Sequence, residues 1–431
     1  MKSRSISAFL FILVAAAGAR TQAPPVAALP GIAESADVRR AAFEKVWTTV
    51  NEKHYDPTFG GVDWKKVRAV YEPNAYAAKT NDEFHAVIRA MLGELKLSHF
   101  GVYTVPKPDA AKTVGGSSGI NFSLIDGRPF IKSIDPVSPA ASSAAKPGFE
   151  LKSIDGRTVA DLLKHTNDYI AASKSSTALA QIYRESALRK AADGASGTFV
   201  SLRLANANGK PVDVKIERYS PEYEMSEPIG NFPPQEVVFE SRLLDGNIGY
   251  IRFNQWLIPQ MPKIRAAVRE FSRANGIIFD IRGNPGGLGG MASGVAGFLV
   301  TQRTSLGSMR SRESVQNFIV YPQAGAFTGK VVILTDHGSA STSEVFAVGL
   351  QEIGRATVIG ETTAGAVLPS VFDTLPTGAI FQWAVSDYRS PKNVLIEGRG
   401  VHPDVIVKQT RAALIAGRDL PIEAAVKLIT K

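Results

Sequence analysis

The sequence predicts an α/β protein with a helical N-terminal region, an inserted β-rich domain and a βαβ core. Three observations support this class. Early in the chain, Phe43, Val46, Trp47 and Val50 recur at the spacing of an amphipathic helix. The middle of the chain carries short strand-like runs separated by turn residues. From Ile248 onward, buried-strand patterns alternate with helical stretches, which is typical of a parallel sheet covered by helices.

Length and composition limit the class of protein. With 431 residues, the chain is too long for one ordinary domain and fits two or three. It has no cysteine, which excludes thiol catalysis, disulfides and thiolate metal sites. Its formal net charge of +9 is spread without a dense basic run, so nothing favours nucleic acid as a partner. Because no His, Asp and Glu residues cluster at ligand spacing, we expect neither a metal nor an organic cofactor.

The first residues have the pattern of a secretory signal peptide. Lys2 and Arg4 precede an apolar run at 8–17, and small residues follow, so cleavage after Ala19 or Ala23 is expected. An uncleaved anchor is the alternative, but the run is shorter than the about 20 apolar residues that a membrane span needs. We therefore expect export to the periplasm or the exterior, with no stable membrane insertion after the signal peptide is removed.

Shifts in composition set the expected domain boundaries. The segment after the signal peptide is rich in Ala and Pro, and a polar stretch containing Pro separates the β-rich domain from the core. The expected organisation is a signal peptide at 1–19, a flexible leader at 20–36, an N-terminal helical region at 37–105, a β-rich domain at 112–219, a linker at 220–245 and the core at 246–431.

A turn rich in small hydroxyl residues separates the apolar strand pattern at 331–334 from a helix-like run that begins near Val345. A strand-to-helix turn can expose a nucleophile beside free backbone N–H groups. Ser341 is placed there to attack a carbonyl, with the N–H of Thr342 holding the developing oxyanion. A plain helix cap is the alternative, and Ser339 stays open as the attacking residue.

A second turn follows the buried strand pattern at 276–281 and is rich in Gly, Asn and Pro. Gly286 and Gly287 allow close backbone approach to a ligand and can supply the second N–H of an oxyanion hole. Because ligands of α/β sheets gather at the carboxyl ends of strands, two such turns favour a site. A tight turn without a ligand is the alternative.

Four motifs between Asp280 and Asp404 resemble those of the C-terminal processing peptidase and tricorn-core group of serine peptidases. In chain order they read DIRGNPGG from Asp280, GSASTSE from Gly338, GETT from Gly360 and EGRGVHPD from Glu397. The resemblance implies a core of crotonase-like type. It also implies hydrolysis of peptide bonds through an acyl-enzyme on the serine.

The resemblance bears on the general base as well. In the processing-peptidase branch a Lys follows the nucleophile by 25 positions, and that position is Ala366 here. In the tricorn-like branch the base is a His preceded by Ser, with a Glu beside the last motif. Ser98, His99 and Glu397 match this second pattern, as bridging hydroxyl, general base and imidazolium stabiliser respectively. His337, four residues before the nucleophile, remains the rival base.

The other four histidines have no catalytic role in this interpretation. His54, His85 and His165 lie among polar residues and are expected on solvated helix surfaces. His402 lies within the last motif, where packing of the loop is its expected role.

The loop at 119–122 and the turns at 138–140 and 154–156 give the β-rich domain features that resemble those of a PDZ domain. The resemblance implies a loop whose amides capture a C-terminal carboxylate, beside a strand that accepts an extended peptide. The residues of this loop are Gly119, Ile120, Asn121 and Phe122. A small β domain used only as a spacer or lid is the alternative.

These observations lead to one main functional hypothesis. The chain is expected to be an exported serine endopeptidase that hydrolyses extended or unfolded polypeptides through an acyl-enzyme on Ser341. A non-catalytic peptide- or ligand-binding protein that retains the peptidase fold is the alternative. A third possibility is hydrolysis or acyl transfer on esters that are not peptides. The sequence leaves the oligomeric state open.

Overall fold

The computed structural model describes residues 12–14, 35–104, 115–173 and 176–431. Apart from 12–14 and 35–36, the expected signal peptide and leader lie outside the described residues. Ile12–Val14 forms a short strand, β1, that pairs antiparallel with Gly286–Leu288. No helix in the described ranges is long and apolar enough to cross a membrane.

Three helices form the N-terminal region, and each begins at a side-chain cap. They are α1 Ala36–Lys53, α2 Trp64–Ala77 and α3 Asn81–Gly93. The side chains of Ser35, Asp63 and Thr80 accept hydrogen bonds from N–H groups of the first turns, which otherwise have no partner within the helix. The helices share a core of buried apolar side chains that includes Phe43, Val46, Val50, Phe84, Ile88 and Met91.

The β-rich unit combines a sheet with two helices. Its strands are β3 Ile120–Ile125, β4 Arg128–Ile134, β5 Glu150–Ile154, β6 Arg157–Thr158, β7 Phe199–Ala205 and β8 Pro211–Glu217. They pair in the order β3-β4-β5-β7-β8, with β6 beside β5. The helices α4 Val159–Ser173 and α5 Thr177–Ala192 were not predicted, because charged and small residues in α5 leave no single apolar stripe.

The core contains a six-stranded sheet in the order β11-β12-β13-β17-β18-β22. These strands are β11 Phe239–Leu244, β12 Ile248–Phe253, β13 Gly276–Asp280, β17 Lys330–Thr335, β18 Thr357–Gly360 and β22 Val405–Ile406. All but β11 run parallel, and helices α6 Gln260–Glu270, α7 Gly289–Ala296, α8 Thr342–Glu352, α9 Arg411–Ile415 and α10 Leu420–Thr430 accompany them. The predicted α/β class and the helical N-terminal region are confirmed.

Smaller strands complete the core and link it to the N-terminal region. They are β2 Gly101–Tyr103, β9 Glu224–Met225, β10 Glu236–Val237, β14 Gly286–Leu288, β15 Thr304–Arg310, β16 Val315–Val320, β19 Ser370–Thr374, β20 Ile380–Ala384 and β21 Asp387–Arg389. The strand β2 pairs antiparallel with β20, in the register Gly101 to Gln382. This pairing carries the end of the N-terminal region onto the core.

Two histidines expected on solvated surfaces are buried. The ring of His54 stacks on those of Tyr55 and Phe100, and its Nδ1 lies 2.8 Å from the backbone oxygen of Asp56. His85 Nε2 lies 2.9 Å from Thr377 Oγ1. The expectation was wrong because it considered only sequence neighbours, whereas these rings pack against residues brought together by folding. His165 is exposed, as expected.

Candidate active site

The turn between β17 and α8 holds Ser341 in a strained backbone conformation. Ser341 has φ 61° and ψ −119°, a left-handed region that residues with a side chain seldom adopt. The residue is fully buried, and its Oγ has no hydrogen-bond partner among the described residues. A strained residue at a strand-to-helix turn is typical of nucleophiles, but the Ser341 hydroxyl forms no hydrogen bond to His99 Nε2 in this structure.

A buried carboxylate, Glu344, holds this turn in place. Its Oε2 accepts hydrogen bonds from the N–H of Ser341 at 3.0 Å and of Ala366 at 2.9 Å. Its Oε1 accepts from Thr363 Oγ1 at 2.5 Å and from the Gly365 N–H at 2.8 Å. Burial raises the pKa of Glu344, and these four donors act against that shift.

Sequence reasoning missed the role of Glu344, although a sequence signal for it exists. The Glu344 carboxylate accepts from the Ser341 N–H as in a capping box, whereas the Glu344 N–H donates to the backbone oxygen of Ser341 and not to its hydroxyl. The spacing of Ser followed three residues later by Glu is the known pattern of that motif. The sequence pattern could therefore indicate the contact to Ser341, but not the contacts to Thr363, Gly365 and Ala366.

The second glycine-rich turn is attached to the nucleophile turn by hydrogen bonds. The backbone oxygen of Asn284 accepts from the N–H of Ala340 and from Ser343 Oγ, both at 3.0 Å. The Thr342 hydroxyl donates to the backbone oxygen of Gly287 at 3.0 Å. The two turns predicted separately from the sequence therefore meet.

The geometry corrects one predicted oxyanion donor. The N–H of Gly286 donates to Asn284 Oδ1 at 3.0 Å, so this group is already engaged. At Gly287, φ is +143°, and an added Cβ would lie 2.3 Å from the backbone oxygen of Trp256. Only glycine fits there, because the backbone of Trp256 approaches so closely. We therefore remove Gly286, whereas Gly287, which pairs with Leu13 of β1, and Thr342 remain predicted oxyanion donors.

Ser98 bridges His99 and Glu397. The Ser98 hydroxyl lies 2.6 Å from His99 Nδ1 and donates to Glu397 Oε2 at 3.0 Å. The Ser98 N–H donates to Glu397 Oε1 at 2.7 Å. Since the hydroxyl donates its proton to the carboxylate, it accepts one from Nδ1, which leaves Nε2 of the neutral ring free to accept a proton. His99 Nε2 is buried and has no partner among the described residues.

Hydrogen bonds from one loop connect the Ser341 turn to the Ser98 bridge. Glu344 accepts from the N–H of Ala366, and Glu397 accepts from the N–H of the next residue, Val367, at 2.9 Å. Both carboxylates are thus held by consecutive backbone N–H groups. This loop fixes the nucleophile turn relative to the Ser98–Glu397 pair.

Burial shifts the titration of both ionisable groups beside Ser98. It lowers the pKa of His99 to about 3, so the imidazole is neutral at pH 7. It raises the pKa of Glu397 to about 7, and hydrogen bonds from Val367 and Ser98 limit the rise. Carboxylate and carboxylic acid forms of Glu397 therefore coexist near neutral pH.

The rival residues are engaged elsewhere. His337 Nε2 lies 3.0 Å from Glu185 Oε2 in the β-rich unit. Ser339 Oγ donates to the backbone oxygen of Ile281 at 2.8 Å. Ala366 is buried, whereas Lys392, the nearest later lysine, is exposed. These contacts give no support to a Ser–Lys dyad or to Ser339 as the nucleophile.

The loop expected to bind a peptide carboxylate is closed by its own hydroxyls. The N–H of Gly119 donates to Ser117 Oγ at 3.0 Å, and the N–H of Ile120 lies 3.3 Å from Ser118 Oγ. Asn121 is exposed. Phe122 is 4% exposed and packs in the core of the β-rich unit, so its side chain is a packing residue. No cluster of three or more His, Asp or Glu in the described part of the chain is placed to hold a metal ion.

Comparisons with known proteins give two family matches. Residues 247–407 match the model of peptidase family S41, and residues 35–93 match that of the Tricorn protease C1 domain. The carboxyl-terminal-processing protease of Synechocystis sp. is 25% identical over 403 residues, which cover 89% of this chain and 85% of that protein. The chloroplastic carboxyl-terminal-processing peptidase 3 of Arabidopsis thaliana is 28% identical over 387 residues, which cover 86% of this chain and 69% of that protein.

Solved structures share the fold. A photosystem II D1 C-terminal processing protease has a TM-score of 0.57 at 20% identity, covering 91% of this chain and 97% of that chain. Mature CPAF has a TM-score of 0.63 at 14% identity, and the match covers 91% of this chain and 97% of that chain. At such identities the likeness concerns the fold, and roles of individual residues depend on the contacts described above.

Proposed function

This chain is a serine-type peptidase of the C-terminal processing peptidase and tricorn-core group, and we propose that it is an exported endopeptidase of the tricorn-like branch with Ser341 as nucleophile. The observation that carries the proposal is the Ser98 hydroxyl, hydrogen-bonded to both His99 Nδ1 and Glu397. A bridging hydroxyl fixes the imidazole tautomer as a carboxylate does directly.

The proposed reaction has two stages. His99 Nε2 takes the proton of Ser341 Oγ as that oxygen attacks the substrate carbonyl, and the oxyanion is held by the N–H groups of Gly287 and Thr342. His99 then gives the proton to the leaving amine, which leaves an acyl-enzyme. A water molecule, deprotonated by the same Nε2, hydrolyses the ester and restores the serine. Glu397 stabilises the imidazolium in both stages through Ser98.

The proposed substrates are extended or unfolded polypeptides. Two relatives are named for carboxyl-terminal processing, which favours cleavage near a substrate C-terminus. We interpret the β-rich unit as PDZ-like and the core as crotonase-like. Export is proposed on the pattern of residues 1–19, with the periplasm or the exterior as destination.

A fluorophosphonate probe tests this proposal against a non-catalytic binding protein. We expect the folded chain to form a covalent adduct that maps to Ser341 and to cleave an unfolded model protein. Ser339→Ala is the matched control, since it removes a neighbouring hydroxyl. If the folded chain neither labels nor cleaves under any condition that opens the site, the binding-protein alternative replaces the peptidase. Faster cleavage of esters than of peptides would favour the third possibility.

We expect kcat/KM to rise about tenfold between about pH 6 and pH 8, because Glu397 must be ionised. Its pKa is raised to about 7, so the carboxylate is present above that pH and is lost as pH falls through it. His99, with a pKa of about 3, stays neutral over the whole range. A pH profile with a small peptide measures this, and Glu397→Gln should be slow and show a smaller rise than the wild type. A flat wild-type profile would contradict the assignment of Glu397.

A further inference from the structure

Helix α5 of the β-rich unit lies directly against the turn that carries the proposed nucleophile. Leu179 and Ile182 on one face of this helix pack against a small apolar cluster. The cluster consists of Ala340, Ala364 and Ala366. Ala340 immediately precedes Ser341, which is fully buried. Because a substrate must reach Ser341, elements that cover this turn have to move.

Two ion pairs fasten the β-rich unit to the same turn. Glu185 on α5 lies 3.0 Å from His337 Nε2, and its side chain is 18% exposed against 10% for the histidine. Lys132 on β4 lies 3.2 Å from Asp336 Oδ2. The other oxygen of Asp336 accepts from the N–H groups of Gly283 and Gly338. Both pairs therefore end on the turn that carries Ser341, and Asp336 also joins this turn to the second one through Gly283.

The carboxylate of Glu185 also closes an edge of the β-rich sheet. Its Oε1 accepts from the Leu124 N–H at 2.8 Å and from Ser123 Oγ at 3.1 Å. One turn earlier on α5, Gln181 Nε2 donates to the backbone oxygen of Leu124 at 3.1 Å. These side chains occupy the groups on β3 that an added strand would need. Glu185 is thus shared between the β3 edge and the nucleophile turn.

We propose that Glu185 is the latch that keeps α5 over the Ser341 turn, and that loss of the proton from His337 releases it. This inference rests on the proposed function, because it assigns a regulatory role to the cover of that site. A charge-assisted hydrogen bond is stronger than a neutral one, so the pair holds best while His337 is protonated.

The charges around His337 determine the direction of the pH effect. Burial lowers its pKa, but the hydrogen bond to Glu185 and the charges of Asp336 and Glu185 outweigh burial and raise it above the ordinary 6.5. Lys132 of β4 opposes the rise, and Glu361, after β18, also faces this group. Because the pKa of His337 is raised, the latch is fully present at pH values below the ordinary histidine pKa. It is lost as the pH rises through the raised pKa of His337.

The test compares the full chain with Glu185→Gln, which removes the charge and keeps the shape. Glu217→Gln, on exposed β8, is the matched control. We expect Glu185→Gln to react with a fluorophosphonate about fivefold or more faster than the wild type at about pH 6. The ratio of the labelling rate of Glu185→Gln to that of the wild type should fall toward one at about pH 8.5. Because titration of Glu397 affects both proteins equally, it cancels in this ratio.

Hydrogen exchange of α5 provides a second readout that does not depend on catalysis. At about pH 6, the amides of Thr177–Ala192 should exchange faster in Glu185→Gln than in the wild type, and Glu217→Gln should match the wild type. Equal exchange and equal labelling in wild type and Glu185→Gln would overturn the latch. Faster exchange without labelling in any protein would support the latch and overturn Ser341 as nucleophile.

A second variant tests the other ion pair. Lys132→Met removes the contact to Asp336, and Lys164→Met, which removes an exposed pair with Asp168, is its control. We expect Lys132→Met to speed labelling at about pH 6, but less than Glu185→Gln, because its side chain is 38% exposed. Labelling of Lys132→Met that is slower than that of the wild type would contradict a latch made of both pairs.

Discussion

Replacing either Ser341 or His99 by alanine is expected to reduce peptidase activity by about 10³-fold or more, the magnitude typical of removing a nucleophile or its base. Ser341 Oγ would attack the substrate, and His99 Nε2 would carry the proton between the two stages. Both atoms are buried and have no hydrogen-bond partner among the described residues, so neither is engaged in another contact. The measurement is hydrolysis of an unfolded model protein by the purified variants.

The controls separate this site from its rivals. Ala366→Lys introduces the amine of the processing-peptidase branch and should not restore activity to His99→Ala, because Ala366 lies in an apolar cluster. Ser98→Ala should lose less peptidase activity than His99→Ala, since it removes the bridging hydroxyl but keeps the proposed base. If His99→Ala stays active while Ser341→Ala is inactive, another base such as His337 serves the nucleophile.

The second large effect is expected at Glu344. The change Glu344→Gln replaces one of two acceptor oxygens by an NH₂ group, which then faces N–H or hydroxyl donors that the carboxylate now satisfies. Each buried donor left unsatisfied costs about 1–3 kcal/mol, so the strained Ser341 turn should relax. We expect kcat to fall about 10²-fold, KM to change little and the free energy of unfolding to drop.

Kinetics and thermal unfolding together test the role of Glu344. Glu270→Gln, an exposed position at the end of α6, is the matched control and should behave as wild type. A fall in kcat with unchanged stability would mean that the carboxylate acts on Ser341 alone. Wild-type kcat in Glu344→Gln would contradict the proposal that this carboxylate holds the nucleophile turn.

Ser98, His99 and Glu397 were assigned through the resemblance of their motifs to those of the peptidase family, and their catalytic roles stay predictions. Ser98 and His99 end a helical region, and Glu397 opens the last motif, so each could be recognised without knowing the contact between them. The contact itself, across 299 positions, depends on the pairing of β2 with β20. Strand pairing over such a separation has no local signature.

The features that the sequence did not predict depend on tertiary contacts. Helix α5 went unrecognised because its residues face two units and carry no clear stripe. The Gly286 N–H looked available because the Asn284 side chain that binds it belongs to the same turn. The α/β class was predictable because buried parallel strands such as β13 and β17 are continuous apolar runs with a strong pattern.

The division of the candidate site between distant parts of the chain has a consequence for biosynthesis. Ser98 and His99 are synthesised before Ser341, and Glu397 is synthesised after it. Because synthesis proceeds from the N-terminus, a nascent chain holds His99 without its proposed carboxylate partner until Glu397 has emerged. The proposed proton relay therefore cannot form before the segment that carries Glu397 has been made.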